Sequence, residues 1–280
     1  MIANTLRGAV AAAVLFTGAS LAHAAAKPDV RLYALDCGTV QFKDFGIFAD
    51  TGEYDGKPAT LAASCFVVKH PNGILVWDTG LGDKLADKPA ESPSGIRLSI
   101  SKTMADQLAE IKISPADVNF IAFSHFHFDH LGNAGLFGAA TWLVNSKETH
   151  WAEQTPPPFG VDPSTLAAYK TAKTKPVDGD YDVFGDGSVK ILKTPGHTPG
   201  HQVLMLTLAK SGTVILAGDL WHTRENRAQR RLPSFNDSRA DTLASMDRVE
   251  AIAKRTKARV VIQHDPADFK ALPAFPAYLD

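Results

Sequence analysis

The chain contains 280 residues, and its 29 Lys and Arg nearly balance its 30 Asp and Glu, which gives a formal net charge of −1. This balance provides neither a basic surplus for nucleic acid nor an acidic tail, so we expect no nucleic-acid partner. Apolar residues make up 45% of the chain, as in ordinary globular proteins, and the length suits one domain with a sizeable core.

The N-terminal segment differs in composition from the rest of the chain. Arg7 precedes a long uncharged run, and Ala22-His23-Ala24 has the small-x-small pattern that signal peptidase cleaves. The pattern predicts a signal peptide over residues 1–24 and a single mature domain over residues 27–280, which would be periplasmic or secreted and free of the membrane. A short N-terminal anchor helix is the alternative.

The elements of the first half follow from apolar periodicity and turn signals. Asn72-Gly73 predicts a hairpin turn between two strands. Segment 84–95 is rich in Pro, Asp and Ser and is predicted to be a surface loop. Strands are predicted at 31–35, 61–69, 74–77, 119–124 and 141–144, and helices at 103–112 and 146–154.

The chain has two cysteines, and both lie near the predicted N-terminal hairpin. In an exported protein, Cys37 and Cys65 could form a disulfide, whereas two buried free thiols are the other interpretation. Neither residue has a metal-binding spacing, so both stay outside the candidate site.

The second half repeats the alternation of strands and turns without repeating the sequence. Strands are predicted at 189–193, 202–208, 214–217 and 259–262, and an amphipathic helix at 241–254. Polar residues that could bind metal follow directly after several of these strands. A layered α/β protein gathers its catalytic loops at such strand ends.

The strongest chemical signal is the segment Ser124-His125-Phe126-His127-Phe128-Asp129-His130. In an extended segment, His125 and His127 point to the same side and can bind one ion together. The turn that follows lets Asp129 and His130 face a second position. Four donors in six residues exceed what one tetrahedral ion with an open position uses, so the segment predicts two metals.

Three later residues complete the predicted ligand set. His197 lies in a loop with two Pro-Gly-type breaks, Asp219 ends a strand, and His264 follows the last strand. The predicted groups are His125, His127 and His197 for one metal, and Asp129, His130 and His264 for the other, with Asp219 bridging. Two Zn²⁺ ions are expected, and Co, Mn or Fe also suit these donors. Such a pair would activate a bridging hydroxide for attack on a carbonyl carbon.

These motifs resemble those of the metallo-β-lactamase superfamily, from the Asp78-Thr79-Gly80 turn to His264. The HxHxDH motif, the later His, the strand-end Asp and the final His all match. The resemblance implies a mixed α/β fold, an αββα four-layer sandwich with the metals at one edge between two sheets. It also implies that Asp78 orients a ligand histidine.

Within this superfamily, the chain is most similar to the N-acyl homoserine lactonases, on His-Phe-His-Phe-Asp-His (125–130), Gly218-Asp219 and the stretch from Asp241 to Asp265. The resemblance implies a hydrolase that opens the ring of acylated homoserine lactones and so quenches bacterial quorum signals. Asp129 would carry the proton to the leaving group.

One position departs from the lactonase pattern. Lactonases commonly carry a tyrosine three residues after the bridging Asp, and this chain has His222 there. A histidine could donate to the oxyanion or act as an acid, and the alternative is a loop residue beside Trp221. Of the other histidines, His201 is expected to make structural hydrogen bonds, while His70 and His150 are expected to be solvated.

An acyl chain requires an apolar groove. The candidate lining residues are Phe42, Phe45, Phe48 and Phe128, each of which could instead belong to the core. The Arg-rich segment 223–239 is a solvated loop, a subunit contact or an anion-facing lid. The sequence leaves the oligomeric state open, with a homodimer as one option.

Several rival functions remain. The nearest are other hydrolases on the same scaffold: a class B β-lactamase, a glyoxalase II-like thioesterase or an organophosphate hydrolase. Asp219 disfavours the first, because class B β-lactamases generally lack a bridging carboxylate. A di-iron redox protein would need a flavodoxin-like domain for which the chain has no room. The complete ligand set disfavours a non-catalytic metal-binding protein.

Overall fold

The computed structural model describes residue 1, residues 28–93 and residues 95–280. The predicted signal peptide and the alternative anchor helix therefore lie almost wholly outside the described residues. None of the helices in the described part of the chain combines the length and apolar character needed to cross a bilayer.

Among the described residues, the first sheet contains nine strands, and its two longest strands pair with each other. In spatial order the strands are β4 (Ala90–Glu91), β5 (Arg97–Ser99), β1 (Arg31–Phe42), β2 (Ala59–His70), β3 (Gly73–Trp77), β6 (Phe120–Ala122), β7 (Thr141–Val144) and β8 (Lys173–Pro176), and β14 (Tyr278–Leu279) also pairs with β1. The pairs from β3 to β8 are parallel and the others are antiparallel. The parallel strands β3, β6 and β7 direct their carboxyl ends to one edge of the sheet.

The second sheet has five strands within residues 28–93 and 95–280. Their order is β13 (Arg259–Val261), β12 (Gly212–Leu216), β11 (Gln202–Leu208), β10 (Val189–Lys193) and β9 (Tyr181–Asp182). Only the pairing of β12 with β13 is parallel.

In the part of the chain that the structure describes, six α-helices connect or cover the sheets. They are α1 (Met104–Glu110), α2 (Phe128–Leu131), α3 (Ser146–Ala152), α4 (Arg224–Gln229), α5 (Arg239–Thr256) and α6 (Pro266–Lys270). Short 3₁₀ turns lie at Gly46–Phe48, Asp83–Leu85, Pro115–Asp117, Ala134–Phe137, Leu166–Thr171 and Gly218–Leu220. Side-chain caps fix several helix starts: Ser238, for example, accepts a hydrogen bond from the Asp241 N–H at the start of α5.

Three apolar layers hold the sheets and helices together. One lies between the sheets and includes Trp77 and Leu204. A second packs α1 and its neighbours on the outer face of the first sheet through Leu108, and a third packs α5 on the second sheet through Val249. The order helix, sheet, sheet, helix confirms the predicted αββα fold.

The elements that differ from the predictions are short or irregular. The first strand extends to Phe42, beyond a register shift after Asp36 that interrupts the apolar alternation. Strands β4, β5, β8, β9 and β14 were not predicted. β8 shows why, since all four of its residues are exposed and it has no apolar face. The predicted surface loop at 84–95 contains β4.

Cys37 and Cys65 are joined by a disulfide between β1 and β2, with the Cα atoms 5.8 Å apart. The bond lies against the turn after β3, since a Cβ on Gly80 would be 2.3 Å from the Cys37 Cβ. The expectation that His70 is solvated is wrong. Its ring is buried, stacks on Phe184 and lies 2.8 Å from the Asp186 carboxylate. His150 is exposed, as expected.

Candidate metal centre

The local fold of the His-rich segment places its donors on two sides. After β6 the chain is irregular up to His127, whose φ and ψ of −70° and 155° are extended, and α2 begins at Phe128. His125 and His127 therefore precede the helix, whereas Asp129 and His130 lie on its first turn. This change from strand to helix geometry is what separates the four donors into two pairs.

The structure brings the seven predicted ligand residues into two adjacent groups. Each residue offers one candidate ligand atom, and within each group these atoms all lie within 4.8 Å of one another. The first group is His125, His127, His197 and Asp219, and the second is Asp129, His130 and His264.

Asp219 lies between the groups and directs one oxygen to each. Its Oδ1 is 2.9 Å from His264 Nε2 and 3.2 Å from His130 Nε2. Its Oδ2 is 3.4 Å from His197 Nε2 and 3.6 Å from His125 Nε2. This is the position that the predicted bridging role requires.

The donor atoms fit a pair of divalent cations. The Nε2 atoms of His125 and His130 and the Oδ1 of Asp219 are buried, with no hydrogen-bond partner among the described residues. Buried polar atoms are nearly always paired, so three convergent unpaired donors indicate a site that a cation completes.

Three of the imidazoles make a hydrogen bond through Nδ1 and direct Nε2 into the cluster, where His197 Nε2 is 3.2 Å from His127 Nδ1. His197 Nδ1 donates to Asn236 Oδ1 at 2.9 Å, and His264 Nδ1 donates to the Ala62 carbonyl at 2.6 Å. His130 Nδ1 donates to Asp78 Oδ2 at 2.9 Å. Such partners fix the tautomer and ring orientation of a metal ligand.

Asp78 performs the orienting role that the resemblance implied. It follows β3 with a φ of 55°, and its Oδ1 accepts a hydrogen bond from the Ser124 N–H at 2.7 Å. Its Oδ2 also accepts from Gln263 Nε2 at 2.8 Å, next to the ligand His264. One carboxylate therefore connects the ends of β3, β6 and β13.

The pKa shifts of four cluster histidines differ between the two groups. Burial lowers the pKa of His125 and of His127 well below the usual range. Burial also acts to lower the pKa of His264, but the nearby carboxylates of Asp219 and Asp129 raise it to about 9. His130, beside Asp78 and Asp219, likewise has a raised pKa despite burial. Negative charge thus concentrates on the second group.

His222 and Asp129, the predicted catalytic residues, both reach the cavity in front of the cluster. His222 Nε2 is 3.0 Å from Asp219 Oδ2, and burial lowers the His222 pKa to about 4. Asp129 Oδ2 is 3.5 Å from His264 Nε2. His201 lies behind the ligands, where its Nε2 accepts a hydrogen bond from the Asp219 N–H at 3.0 Å.

The cavity is largely apolar. Among the predicted lining residues, Phe42, Phe48 and Phe128 line it, whereas Phe45 does not and stacks on Phe48 at a centroid distance of 4.1 Å. Phe45 belongs to the core beneath the wall. The remaining lining residues are Val40, Ile47, Leu61, Ile96, His127, Asp129, Phe159, Gly160, Asp219, His222, Phe235 and His264.

Phe235 is a site residue that sequence reasoning missed. Its ring contacts Phe48, Phe159 and the rings of His197 and His222, with centroid distances from 4.9 to 5.8 Å. It lies in a loop between α4 and α5, and its only sequence signal is one aromatic residue in a polar segment.

The arginines of segment 223–239 are not directed toward the cavity, although Phe235 of the same segment lines it. Residues 224–229 form α4, and each of the five arginines of the segment forms an ion pair. The pairs are Arg224–Asp268, Arg227–Glu250, Arg230–Asp247, Arg231–Glu225 and Arg239–Asp50. This arrangement argues against an anion-facing lid.

Comparison with known proteins adds family evidence to this geometry. The model of the metallo-beta-lactamase superfamily matches residues 59–264. The N-acyl homoserine lactonase AttM of Azorhizobium caulinodans is 32% identical over 90% of this chain and 99% of its own length. AttM of Rhizobium radiobacter is 33% identical over 88% and 98%. A solved structure of an N-acyl homoserine lactone hydrolase has the product N-hexanoyl-L-homoserine bound at its catalytic metal center. It is similar to this chain with a TM-score of 0.76 and 26% identity, and the match covers 89% of this chain and 98% of that one.

Proposed function

Because the chain belongs to the metallo-β-lactamase superfamily, we propose that it is a metal-dependent hydrolase that opens the lactone ring of N-acyl homoserine lactones. The observation that carries the proposal is the cavity in front of the ligand cluster. It joins an apolar wall to the two donor groups, as a substrate with a polar ring and an acyl chain requires.

The charge of the cavity favours a neutral substrate. None of the described residues that line it is a lysine or an arginine. β-Lactams and glutathione thioesters carry carboxylates, which proteins commonly bind with such cations. An acyl homoserine lactone carries no charge, so the cavity suits it better than either rival.

We propose that the two groups hold two Zn²⁺ ions, since imidazole and carboxylate donors at buried positions suit that ion. His125, His127 and His197 would bind one ion, and Asp129, His130 and His264 the other, with Asp219 between them. When bound, the ions supply a water of lowered pKa and polarise the lactone carbonyl.

Two side chains of the cavity would assist the reaction. His222 is kept neutral by burial, so an imidazole N–H can donate a hydrogen bond to the carbonyl oxygen as negative charge develops there. Asp129 can carry the proton released from the attacking water to the ring oxygen as the ester C–O bond breaks. The products are the ring-opened acyl homoserine carboxylate and one proton.

The decisive experiment compares four substrates on purified, zinc-loaded protein: N-hexanoyl homoserine lactone, a cephalosporin, a glutathione thioester and a phosphotriester. We expect the lactone to have the highest kcat/KM, measured by proton release, and Asp219→Ala to lose both turnover and bound metal. A higher kcat/KM for any of the other three would contradict the proposal.

We also propose that the protein is exported to the periplasm or beyond the cell. The disulfide between Cys37 and Cys65 supports this, because such bonds persist in oxidising compartments. Fractionation of cells that express the full chain tests the proposal. Activity confined to the cytoplasm would contradict it.

A further inference from the structure

Glu148 is a buried carboxylate close to the metal centre, yet it belongs to neither ligand group. It is the third residue of α3 and only 2% of its surface is exposed. Its Oε1 accepts a hydrogen bond from the Phe126 N–H at 2.7 Å, and its Oε2 accepts one from the Gly200 N–H at 2.9 Å. Each carboxylate oxygen therefore binds a different loop.

These two loops carry the three histidines of the first group. Phe126 lies between His125 and His127 on the loop after β6, in the first sheet. Gly200 lies three residues after His197, on the loop that joins β10 to β11 in the second sheet. A single carboxylate thus connects backbone segments of the two sheets at the point where their ligands meet.

The loop that contains Gly200 packs closely against α3 at Glu148. A Cβ on Gly200 would be 2.5 Å from the Glu148 Cβ and 2.6 Å from its backbone nitrogen, so only glycine allows this loop to approach α3. Gln202 adds a neighbouring connection, because its side chain donates to the Phe123 carbonyl at 2.9 Å. The loops would therefore remain associated without Glu148, but with a less defined spacing.

The second group has a comparable carboxylate. Asp78 accepts hydrogen bonds from His130 and from the Ser124 N–H, and so holds a ligand ring and its loop. Glu148 differs in that it accepts hydrogen bonds from backbone N–H groups of the ligand loops and none from a ligand ring. It therefore acts on the first group through the positions of those loops, in addition to its electrostatic interaction with His197.

We propose that Glu148 is a positioning residue for the first metal group: by fixing the loop of His125 and His127 against the loop of His197, it sets the affinity of that group for its cation. The inference rests on the proposed metal-dependent function, but it concerns metal binding at one group and is tested without any substrate.

The test is a titration of metal-free protein with Zn²⁺ in competition with a chromophoric chelator. In Glu148→Gln, an amide group replaces one acceptor oxygen and faces an N–H donor. We expect the wild type to bind two ions, and the variant to bind one with unchanged affinity and the other about 10–100-fold more weakly. Glu153→Gln, an exposed change at the end of the same helix, is the matched control and should behave as wild type.

Backgrounds that lack one group identify which ion is affected. In His197→Ala, which already removes a ligand of the first group, Glu148→Gln should cause no further loss of affinity. In His264→Ala it should still weaken the remaining ion. If Glu148→Gln does not fold by circular dichroism, Glu148→Asp, which keeps a shorter carboxylate, should show the same loss at one ion only.

Two results would overturn the inference while leaving the proposed function intact. They are unchanged affinity for both ions in Glu148→Gln, or an equal loss at both. A wild type that binds no Zn²⁺ would overturn the proposed function as well, so the two failures are distinguishable.

Discussion

His222 lies where the metal ligands meet the apolar wall of the cavity. Its ring is parallel to that of His264, with 5.7 Å between the centroids, and its edge-on neighbour Phe48 is 4.8 Å away. Its Nδ1 is buried and has no hydrogen-bond partner among the described residues. Its Nε2, 3.0 Å from Asp219 Oδ2, faces the ligand cluster and is the nitrogen that would donate to a substrate oxygen in the proposed reaction.

We predict that His222→Ala lowers kcat about 100-fold, because removing one hydrogen-bond donor from a developing oxyanion typically costs 10²–10³. Both metal ions should remain bound, as metal analysis of the same sample can show. His150→Ala, an exposed change, is the control and should keep full activity. Unchanged turnover in His222→Ala, or metal loss that matches the loss of activity, would disprove the role.

Among single residues, the sequence identified those whose types recur in a fixed order and spacing along the chain. The seven metal-ligand candidates could be predicted because imidazoles and carboxylates recur at strand ends. Glu148 could not, since its partners are backbone N–H groups 22 and 52 residues away. Phe235 was missed because the rings that it contacts, such as those of Phe48 and Phe159, lie far from it in the sequence. His70 was misjudged because its partners Phe184 and Asp186 come from a distant loop.

Among the elements, the paired strands β1 and β2 contact the turn after β3, which leads to the metal centre. Their strands are 12 residues each, and the Cys37–Cys65 disulfide joins them beneath the turn that contains Asp78. The two cysteines are 28 positions apart, so the bond closes a loop of moderate length in the unfolded chain. Closing such a loop removes conformational entropy from the unfolded state.

We predict that replacing both cysteines by serine lowers the free energy of unfolding by about 3.5 kcal/mol, the chain-entropy value for a loop of this length. Urea unfolding of metal-saturated protein gives the measurement. Wild-type protein treated with a reductant is the control and should unfold at the same urea concentration as the double variant. A midpoint equal to that of oxidised wild type would refute the prediction.

The elements that could be predicted were those with a buried face. Strands β7, β10 and β11 match their predicted bounds, because each has a run of apolar residues between turn signals. Helix α4 lies in the Arg-rich segment and was not predicted as a helix, because its residues give no apolar face and the carboxylate partners of its arginines come from other elements. Ion pairs of this kind depend on tertiary contacts that a single segment does not contain.

For the whole molecule, the metal centre is a connection between the two sheets. Ligands of each group follow strands of both, and Gln263 adds a direct link. Its Oε1 accepts hydrogen bonds from Trp77 Nε1 at 2.9 Å and from the Gly218 N–H at 3.0 Å. Binding of metal therefore favours the assembled domain over the unfolded chain.

We predict that removing the metal with a chelator lowers Tm by about 5–10 °C, since a ligand at about 100 times its Kd adds about 2.7 kcal/mol and each kcal/mol shifts Tm by about 2–4 °C. The difference in Tm between metal-loaded and metal-free protein should increase from pH 6 to pH 9. In metal-free protein the His264 pKa is about 9, so the stability from its protonated pairing with Asp219 is complete below pH 6.5 and lost toward pH 9.

The affinity for metal instead increases as pH rises, because protons compete with metal for His264 and His130 and this competition becomes weaker. Differential scanning fluorimetry across this range is the measurement. Asp219→Ala should show no response to the chelator at any pH. A difference in Tm that narrows toward pH 9 would contradict this account.

The wall of the cavity is built mostly from parts of the chain that carry no ligand. Ile47, Ile96, Phe159 and Phe235 lie on four separate connections, and none of these residues is within the ligand groups. Natural variation in these connections can therefore alter which acyl tails are accepted while the catalytic ions stay in place. We therefore expect related enzymes to share one reaction and to differ in the acyl homoserine lactones that they prefer.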